Sequence, residues 1–139
     1  RGLYHCEYEN NHCVSQIPRM PSDKERMSVA GFTWGYAVAK NNLRKISGGK
    51  LLDGIFSKDG YAYYIDELGV AMRFRRSGVG KKLSEVLLKE AERLGYKKVV
   101  LRTDKKAEAA ISLYKRLGFK DLSVRDEKYP ERTYWIKEL

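Results

Sequence analysis

The segment Arg75–Lys81, with the sequence RRSGVGK, combines residue types that bind phosphate groups. It lies between a predicted strand, Tyr61–Val70, and a predicted amphipathic helix, Val79–Leu94. A glycine-rich loop that opens a helix directs backbone N–H groups outward at the positive end of the helix dipole, where phosphate is favoured. The segment lacks the fingerprints of P-loops and of dinucleotide folds. Its pattern, Arg-x-x-Gly-x-Gly, therefore indicates either a different phosphate site or an ordinary loop leading into a helix.

Asp66 and Glu67 form a pair of adjacent carboxylates inside the largely apolar strand Tyr61–Val70. Side chains alternate between the two faces of a strand, so only one of the two faces a given cleft unless a bulge intervenes. The simplest structural interpretation is that one carboxylate forms an ion pair with a nearby Lys or Arg. The residues alone do not exclude a role in binding or chemistry.

Two His-Cys dipeptides, His5-Cys6 and His12-Cys13, raise the question of a metal site. Zinc ligands are usually spaced as Cys-x2–4-Cys or His-x3–5-His, whereas these cysteines are seven residues apart in a polar segment. We interpret the repetition as coincidence and predict no metal cofactor. Two cysteines are also too few for a disulfide framework.

The bulk composition indicates one globular domain. The 139 residues are enough for a hydrophobic core, and 42% of them are apolar. No apolar run approaches the roughly 18 residues that span a membrane, and no secretory signal is visible, so we expect a soluble, cytoplasmic protein without a membrane partner. The net charge of +10 favours anionic ligands. Because the basic residues are dispersed and no nucleic-acid-binding motif is present, a solvated basic surface is favoured over a nucleic-acid partner.

The elements that must position these residues alternate between strand and helix, which predicts a mixed α/β sheet. Residues 1–27 are polar and interrupted by Pro18 and Pro21, so they are predicted to be irregular. The glycine-rich stretch Asn41–Gly60 is predicted to be a long connection. The other predicted elements are the strands Ser28–Ala39, Tyr61–Val70, Lys97–Leu101, Leu122–Val124 and Thr133–Leu139, the helix Val79–Leu94, and a helix capped by Asp104 that runs to about Leu117.

The chain resembles the GNAT superfamily of acyl-CoA N-acyltransferases over about residues 28–139. Four features carry the resemblance, in the order in which the family has them. They are the strand Tyr64–Val70 (YIDELGV), the loop Arg75-x-x-Gly78-x-Gly80, the strand Val99–Asp104 (VVLRTD) and the segment Ala110–Phe119 (AISLYKRLGF). The resemblance implies an α/β fold with a mixed, mostly antiparallel central sheet flanked by helices. It divides the chain into an irregular segment, 1–27, and an acetyltransferase domain, 28–139, with abbreviated N-terminal elements.

The resemblance implies acetyl-CoA as the co-substrate. The backbone N–H groups of Arg76 to Lys81 would bind its pyrophosphate, and main-chain groups of Leu68 to Val70 would bind its pantetheine arm. A backbone N–H near Val70 would stabilise the oxyanion formed during the reaction. The implied donor-binding residues are Leu68, Gly69, Val70, Arg75, Arg76, Ser77, Gly78, Val79, Gly80 and Lys81.

Tyr114 matches the tyrosine with which the family protonates the departing CoA thiolate. A phenol has a pKa of about 10, so it stays protonated at neutral pH and can donate a proton. Core packing is the alternative role, because position 114 lies on the inward face of its predicted helix. The resemblance implies direct transfer of an acetyl group to a primary amine, without a covalent enzyme intermediate.

Glu67 is the first candidate for the general base and Asp66 the second, and both are candidates for binding the acceptor. The pair resembles that of the diamine and polyamine N-acetyltransferases, in which the carboxylates attract a cationic amine and help to deprotonate it. The resemblance therefore favours a small cationic amine as the acceptor, with an amino sugar or a protein lysine as alternatives.

The chain departs from the family pattern in three places. Ala107 stands where many members have an asparagine that contacts the cofactor, and Arg102 stands where the ribosomal-protein N-terminal acetyltransferases carry a glutamate base. The short N-terminal region implies an acceptor pocket that is open, completed by a second subunit of a homodimer, or lost to truncation. Two alternative functions remain open for this chain. One is a CoA-binding or sensing module without turnover, and the other is a basic nucleic-acid-binding module.

Overall fold

The computed structural model describes the backbone of residues 2–9, 12–16, 29–42 and 60–139, and the side chains of residues 30–42 and 60–139. The strands in this part of the chain are β1 (Gly2–Glu9), β2 (His12–Gln16), β3 (Val29–Ala39), β4 (Tyr61–Val70), β5 (Lys98–Asp104), β6 (Lys120–Arg125) and β7 (Arg132–Glu138). They form one sheet in the order β2-β1-β3-β4-β5-β7-β6, antiparallel except between β4 and β5. The helices α1 (Val79–Arg93) and α2 (Glu108–Arg116) flank it, which confirms the expected mixed, mostly antiparallel α/β fold.

The N-terminal strands correct one expectation. The prediction of an irregular segment over residues 1–27 is wrong for β1 and β2, because β1 pairs with β2 on one side and with β3 on the other. The ladder to β3 supplies hydrogen-bond partners that the polar composition of these segments does not reveal. The connection predicted over Asn41–Gly60 lies almost entirely outside the described residues. So do the side chains of His5, Cys6, His12 and Cys13.

Both helices lie close to their predicted positions, and their ends have local causes. Gly95 follows α1 in the left-handed conformation, with φ of 88°, and ends the helix. α2 begins at Glu108, later than predicted, because Asp104 does not cap it. The Asp104 carboxylate instead accepts a hydrogen bond from the Lys106 N–H at 2.8 Å and forms a tight turn ahead of the helix. Within the described ranges, no helix is long and apolar enough to cross a membrane.

The sheet buries apolar side chains on both of its faces. On the helical face, α1 and α2 pack over the sheet in a core that includes Leu83 and Leu101. The opposite face carries a second cluster, which includes Tyr64 and Tyr134. Successive residues of β4 pack in different hydrophobic clusters, since Tyr63 lies on the helical face of the sheet and Tyr64 on the opposite face.

A cleft opens where β4 and β5 diverge. Only residues 63–65 of β4 pair with β5, at positions 99–101, whereas β3 accompanies β4 along almost its whole length. Beyond this point β5 stays paired with β7. Residues 66–70 of β4 therefore have one edge without a neighbouring strand among the described elements, and this edge positions the candidate site.

Candidate active site

The loop before α1 presents six consecutive backbone N–H groups without a partner. No described residue accepts a hydrogen bond from the N–H groups of residues 76–81, and the first bonded amide is that of Lys82, 3.0 Å from the Gly78 carbonyl oxygen. Gly78 precedes the helix in the left-handed conformation, with φ of 86°. The Ser77 hydroxyl donates to the Phe74 carbonyl within the same turn. Such a row of donors at the positive end of a helix suits an anion.

Space and charge around this loop suit a phosphate-bearing ligand. A Cβ placed on Gly78 would meet no atom within 4 Å, so the outside of the turn is open. Arg75, Arg76 and Lys81 are exposed beside the free amides. Lys81 lies 3.9 Å from Glu85 in an exposed ion pair, which is too weak to withhold its charge from a ligand. The residues present fit the pyrophosphate of acetyl-CoA.

Residues 68–70, with the sequence Leu-Gly-Val, lie along the edge of β4 that β5 leaves open. Successive residues of a strand direct their N–H groups to alternate edges. The Ala71 N–H bonds the Ala30 carbonyl on β3 at 2.7 Å, so the Val70 N–H points away from β3 and into the cleft. Val70 Cγ2 also lies 3.6 Å from a Cβ placed on Gly80, so the end of the strand meets the start of the helix.

Asp66 and Glu67 are both exposed, although they are neighbours in a strand. A β-bulge is the cause. Trp34 of β3 pairs with Glu67 and the next residue, Gly35, pairs with Ile65, so Asp66 is an extra residue in β4. The Trp34 indole N–H donates to the Asp66 carboxylate at 3.1 Å, which places this carboxylate on the same side of the sheet as Trp34 and its partner Glu67. The bulge therefore lets both carboxylates reach one side of the sheet.

Tyr114 on α2 is 7% exposed and packs edge-to-face against Phe119, with ring centroids 5.6 Å apart. Its hydroxyl bonds no described residue, yet every buried side-chain oxygen and nitrogen in the described residues has a partner. The hydroxyl must therefore reach space that solvent can enter. Burial of the ring raises the pKa of Tyr114 to about 12, so the phenol stays protonated at neutral pH. Core packing and proton donation are compatible in this residue.

Arg102 lies on β5 just beyond the point where β4 and β5 diverge, and its guanidinium group forms an ion pair with the buried carboxylate of Asp126. Its Nη1 donates to Asp126 Oδ2 at 2.8 Å, and the Tyr134 hydroxyl donates to the same oxygen at 2.6 Å. Burial alone would raise the pKa of Asp126, but the hydrogen bonds from Tyr134 and Arg102 outweigh it and lower the pKa to about 2. Asp126 was not predicted from the sequence, because its partners Tyr134 and Arg102 lie 8 and 24 positions away and only the folded chain brings them together.

The helix start, the open strand edge and α2 converge on one cleft. A Cβ placed on Gly80 would lie 3.3 Å from Leu113 of α2, the residue before Tyr114. The exposed Asp66–Glu67 pair lies beside the same opening between β4 and β5, on the side of the sheet that carries Trp34. Ala107 stands at the N-cap of α2 and provides no side-chain hydrogen bond there.

Free amides at a helix start, an open strand edge and a tyrosine with an accessible hydroxyl are the features expected of an acyl-CoA-dependent transferase. The family model described as "Acetyltransferase (GNAT) family" matches residues 4–119, and the chain belongs to this family. The protein is therefore an acyl-CoA-dependent N-acetyltransferase, which transfers an acetyl group from acetyl-CoA to an amine. The comparison with curated proteins returned no match.

Solved structures share the fold at low sequence identity. Arabidopsis thaliana NAA60 in complex with acetyl-CoA is 21% identical, with a TM-score of 0.62 over 86% of this chain and 70% of that one. The ribosomal-protein-S18-alanine N-acetyltransferase from Escherichia coli is 20% identical, with a TM-score of 0.57 over 89% and 66%. Mosquito arylalkylamine N-acetyltransferase like 5b is 14% identical, with a TM-score of 0.62 over 91% and 74%. At these identities the likeness concerns the fold and leaves the acceptor open.

Proposed function

We propose that the protein acetylates the primary amine of a small cationic acceptor. The observation that carries this proposal is the bulge at Asp66, which leaves two exposed carboxylates on one side of the sheet beside the cleft. Two carboxylates in this position attract a cationic amine from solution and favour its binding near the donor. A protein lysine is the alternative acceptor, since it carries the same ammonium group.

The donor is proposed to bind along the surfaces that have free main-chain groups. The N–H groups of residues 76–81 would hold the pyrophosphate of acetyl-CoA, with positive charge from Arg75, Arg76 and Lys81. The pantetheine arm would follow residues 68–70, and the Val70 N–H would donate to the oxyanion of the tetrahedral intermediate. The thioester would then lie between α2 and the end of β4.

Glu67 is the proposed general base, and Asp66 the proposed binder of the ammonium group. Trp34 orients the Asp66 carboxylate through a hydrogen bond, whereas no described residue engages the carboxylate of Glu67. Once Glu67 has taken a proton from the amine, the nitrogen attacks the thioester carbonyl. The N–C bond forms, the C–S bond breaks, and Tyr114 gives its proton to the departing thiolate, while the positively charged nitrogen loses its second proton to water and becomes the neutral amide. Both residues then exchange protons with solvent and return to their starting states.

Release of the CoA thiol tests this function directly. The protein is incubated with acetyl-CoA and a panel of diamines, polyamines, amino sugars and lysine-containing peptides, and free thiol is measured with a chromogenic disulfide reagent. Thiol release is expected to be fastest with diamines and polyamines, and the double variant Asp66→Asn/Glu67→Gln should lose this preference while binding CoA normally. Faster release with the peptides would assign a protein acceptor.

CoA binding without thiol release across the whole panel would contradict turnover and favour a sensing module. The homodimer and the cytoplasmic location stay predictions. Light scattering of the purified protein and imaging of a tagged copy would test them.

A further inference from the structure

A second groove lies on the far side of α2 from the acyl-CoA cleft. It has a volume of about 700 Å³ and runs between α2 and the strands β6 and β7. Ile111 and Lys115 line it from the helix, whereas Leu113 lies on the side of α2 that approaches Gly80. The helix therefore separates this groove, the α2–β6 groove, from the site proposed for acetyl-CoA.

Cationic side chains from three segments surround the α2–β6 groove. They are Lys105 in the turn before α2, Lys115 on α2 and Arg125 on β6. None of the three forms an ion pair with a described residue. Asp121 is the one acidic residue among the described lining, and its carboxylate accepts a hydrogen bond from the Ser123 N–H at 2.8 Å. The groove therefore carries positive charge that its own side chains do not neutralise.

The floor of the groove is apolar and well packed. Phe119 and Trp135 form it, and each is 4% exposed. The Trp135 indole N–H is already engaged, since it donates to the Thr133 hydroxyl oxygen at 3.1 Å. A low-dielectric floor strengthens the attraction between the surrounding cations and an anion. The volume of the groove also falls within the range of about 300 to 1,000 Å³ that is typical of small-molecule sites.

The edge of the sheet beside the groove is unsuited to an added strand. β6 is the last strand of the sheet, but its pairing with β7 is irregular between Asp121 and Arg125. Ser123 within this stretch has a left-handed backbone, with φ of 56°. Bulged and twisted edges resist pairing with a further strand. A small ligand therefore fits this surface better than an extended peptide.

We propose that the α2–β6 groove binds a small polyanion, a polycarboxylate or a polyphosphate, while acetyl-CoA occupies its own cleft. A ligand with two or more anionic groups can contact cations from different segments of a groove of this volume at once. The three cations are spread over the turn before α2, the helix itself and β6, so this ligand would bridge α2 and the edge of the sheet. The proposal rests on this groove alone and is independent of the acceptor proposed above.

Isothermal titration calorimetry on the full chain tests the proposal, with inorganic tripolyphosphate and citrate as probes. Saturating CoA is present throughout, so that the loop before α1 is occupied. One equivalent of at least one probe should bind, and Lys115→Gln/Arg125→Gln should weaken it about 100-fold, or roughly tenfold for each cation replaced. The matched control, Lys89→Gln/Lys97→Gln, removes the same charge from exposed positions outside the groove and should bind the probe like the wild type.

The two probes distinguish the sources of the anionic groups. Binding of citrate alone would identify a polycarboxylate site, and binding of tripolyphosphate alone would identify a polyphosphate site. The proposal is overturned if neither probe binds, or if the two double variants weaken binding equally, because the effect would then come from net charge. CoA affinity, measured on each variant, should equal that of the wild type and serves as the check on folding.

Discussion

Replacement of Tyr114 by Phe removes one hydroxyl and keeps the ring that packs against Phe119. The hydroxyl has no partner among the described residues, so its loss leaves no buried group unsatisfied. The free energy of unfolding should therefore change by less than about 1 kcal/mol. Turnover should fall about 10²- to 10⁴-fold, which is the usual contribution of a general acid.

The assay is thiol release from acetyl-CoA at saturating amine, with CoA affinity measured separately by calorimetry. CoA affinity should be unchanged, because the hydroxyl is proposed to act on the sulfur only as the bond to carbon breaks. The pH dependence of the wild type gives a second readout. With a pKa of about 12, roughly one Tyr114 phenol in 10,000 is ionised at about pH 8. The acid is competent below its pKa, so activity should be lost through this group only as the pH rises towards 12.

Tyr96→Phe is the matched control for this experiment. Tyr96 is a partly buried tyrosine that packs against Tyr63, with ring centroids 5.4 Å apart, and it lies beyond the C-terminal end of α1, away from the phosphate loop. This variant should keep the turnover of the wild type. Unchanged turnover in Tyr114→Phe would remove Tyr114 as the acid. Equal losses in the two variants would attribute the effect to packing instead of proton donation.

Three further predictions concern the donor loop, the carboxylates and the fold. Gly78→Ala and Gly95→Ala impose similar backbone strain, since the two glycines have φ of 86° and 88° and open space at their Cβ positions. Only Gly78→Ala should weaken CoA binding, by about tenfold in calorimetry. Equal CoA affinities of the two variants would contradict the phosphate loop. Glu67→Gln should lower kcat about 100-fold, whereas Asp66→Asn should mainly raise KM for the amine. The reverse pattern would make Asp66 the base. Asp126, with its pKa lowered from 3.8 to about 2, stabilises the fold while it is ionised, and this stability is lost as the pH falls through that window. Asp126→Asn should abolish this part of the acid transition, and identical acid-unfolding curves by circular dichroism would refute the role of Asp126.

Most elements of the fold were predictable from short windows of sequence. β4 begins and ends at the predicted residues, and α1 begins at Val79 as predicted, because alternation and helical periodicity are local properties. The prediction failed for β1 and β2, which lie in the polar N-terminal region. Their strand conformation depends on hydrogen bonds to each other and to β3, which follows after a further stretch of chain.

The candidate site was predictable in its composition and less so in its geometry. The open edge of β4 follows from pairing with β5 at only three positions, and no local pattern specifies where that pairing stops. The exposure of both Asp66 and Glu67 follows from the register of β3, in which Trp34 and Gly35 pair on either side of the extra residue. Asp126 was missed for the same reason, since its role depends on distant Arg102 and Tyr134 side chains.

The sequence by itself determined which chemistry is available to this protein: a glycine-rich helix start for phosphate, two adjacent carboxylates, and a tyrosine on the inward side of a helix. These features follow from residue types a few positions apart, which the geometry of a single helix or strand converts directly into structure. Only the tertiary structure decided that both carboxylates reach one side of the sheet, that the Tyr114 hydroxyl reaches solvent, and that three separate cations meet in the α2–β6 groove. Each of these depends on contacts between residues far apart in the chain, and strand register and packing of the whole sheet set those contacts.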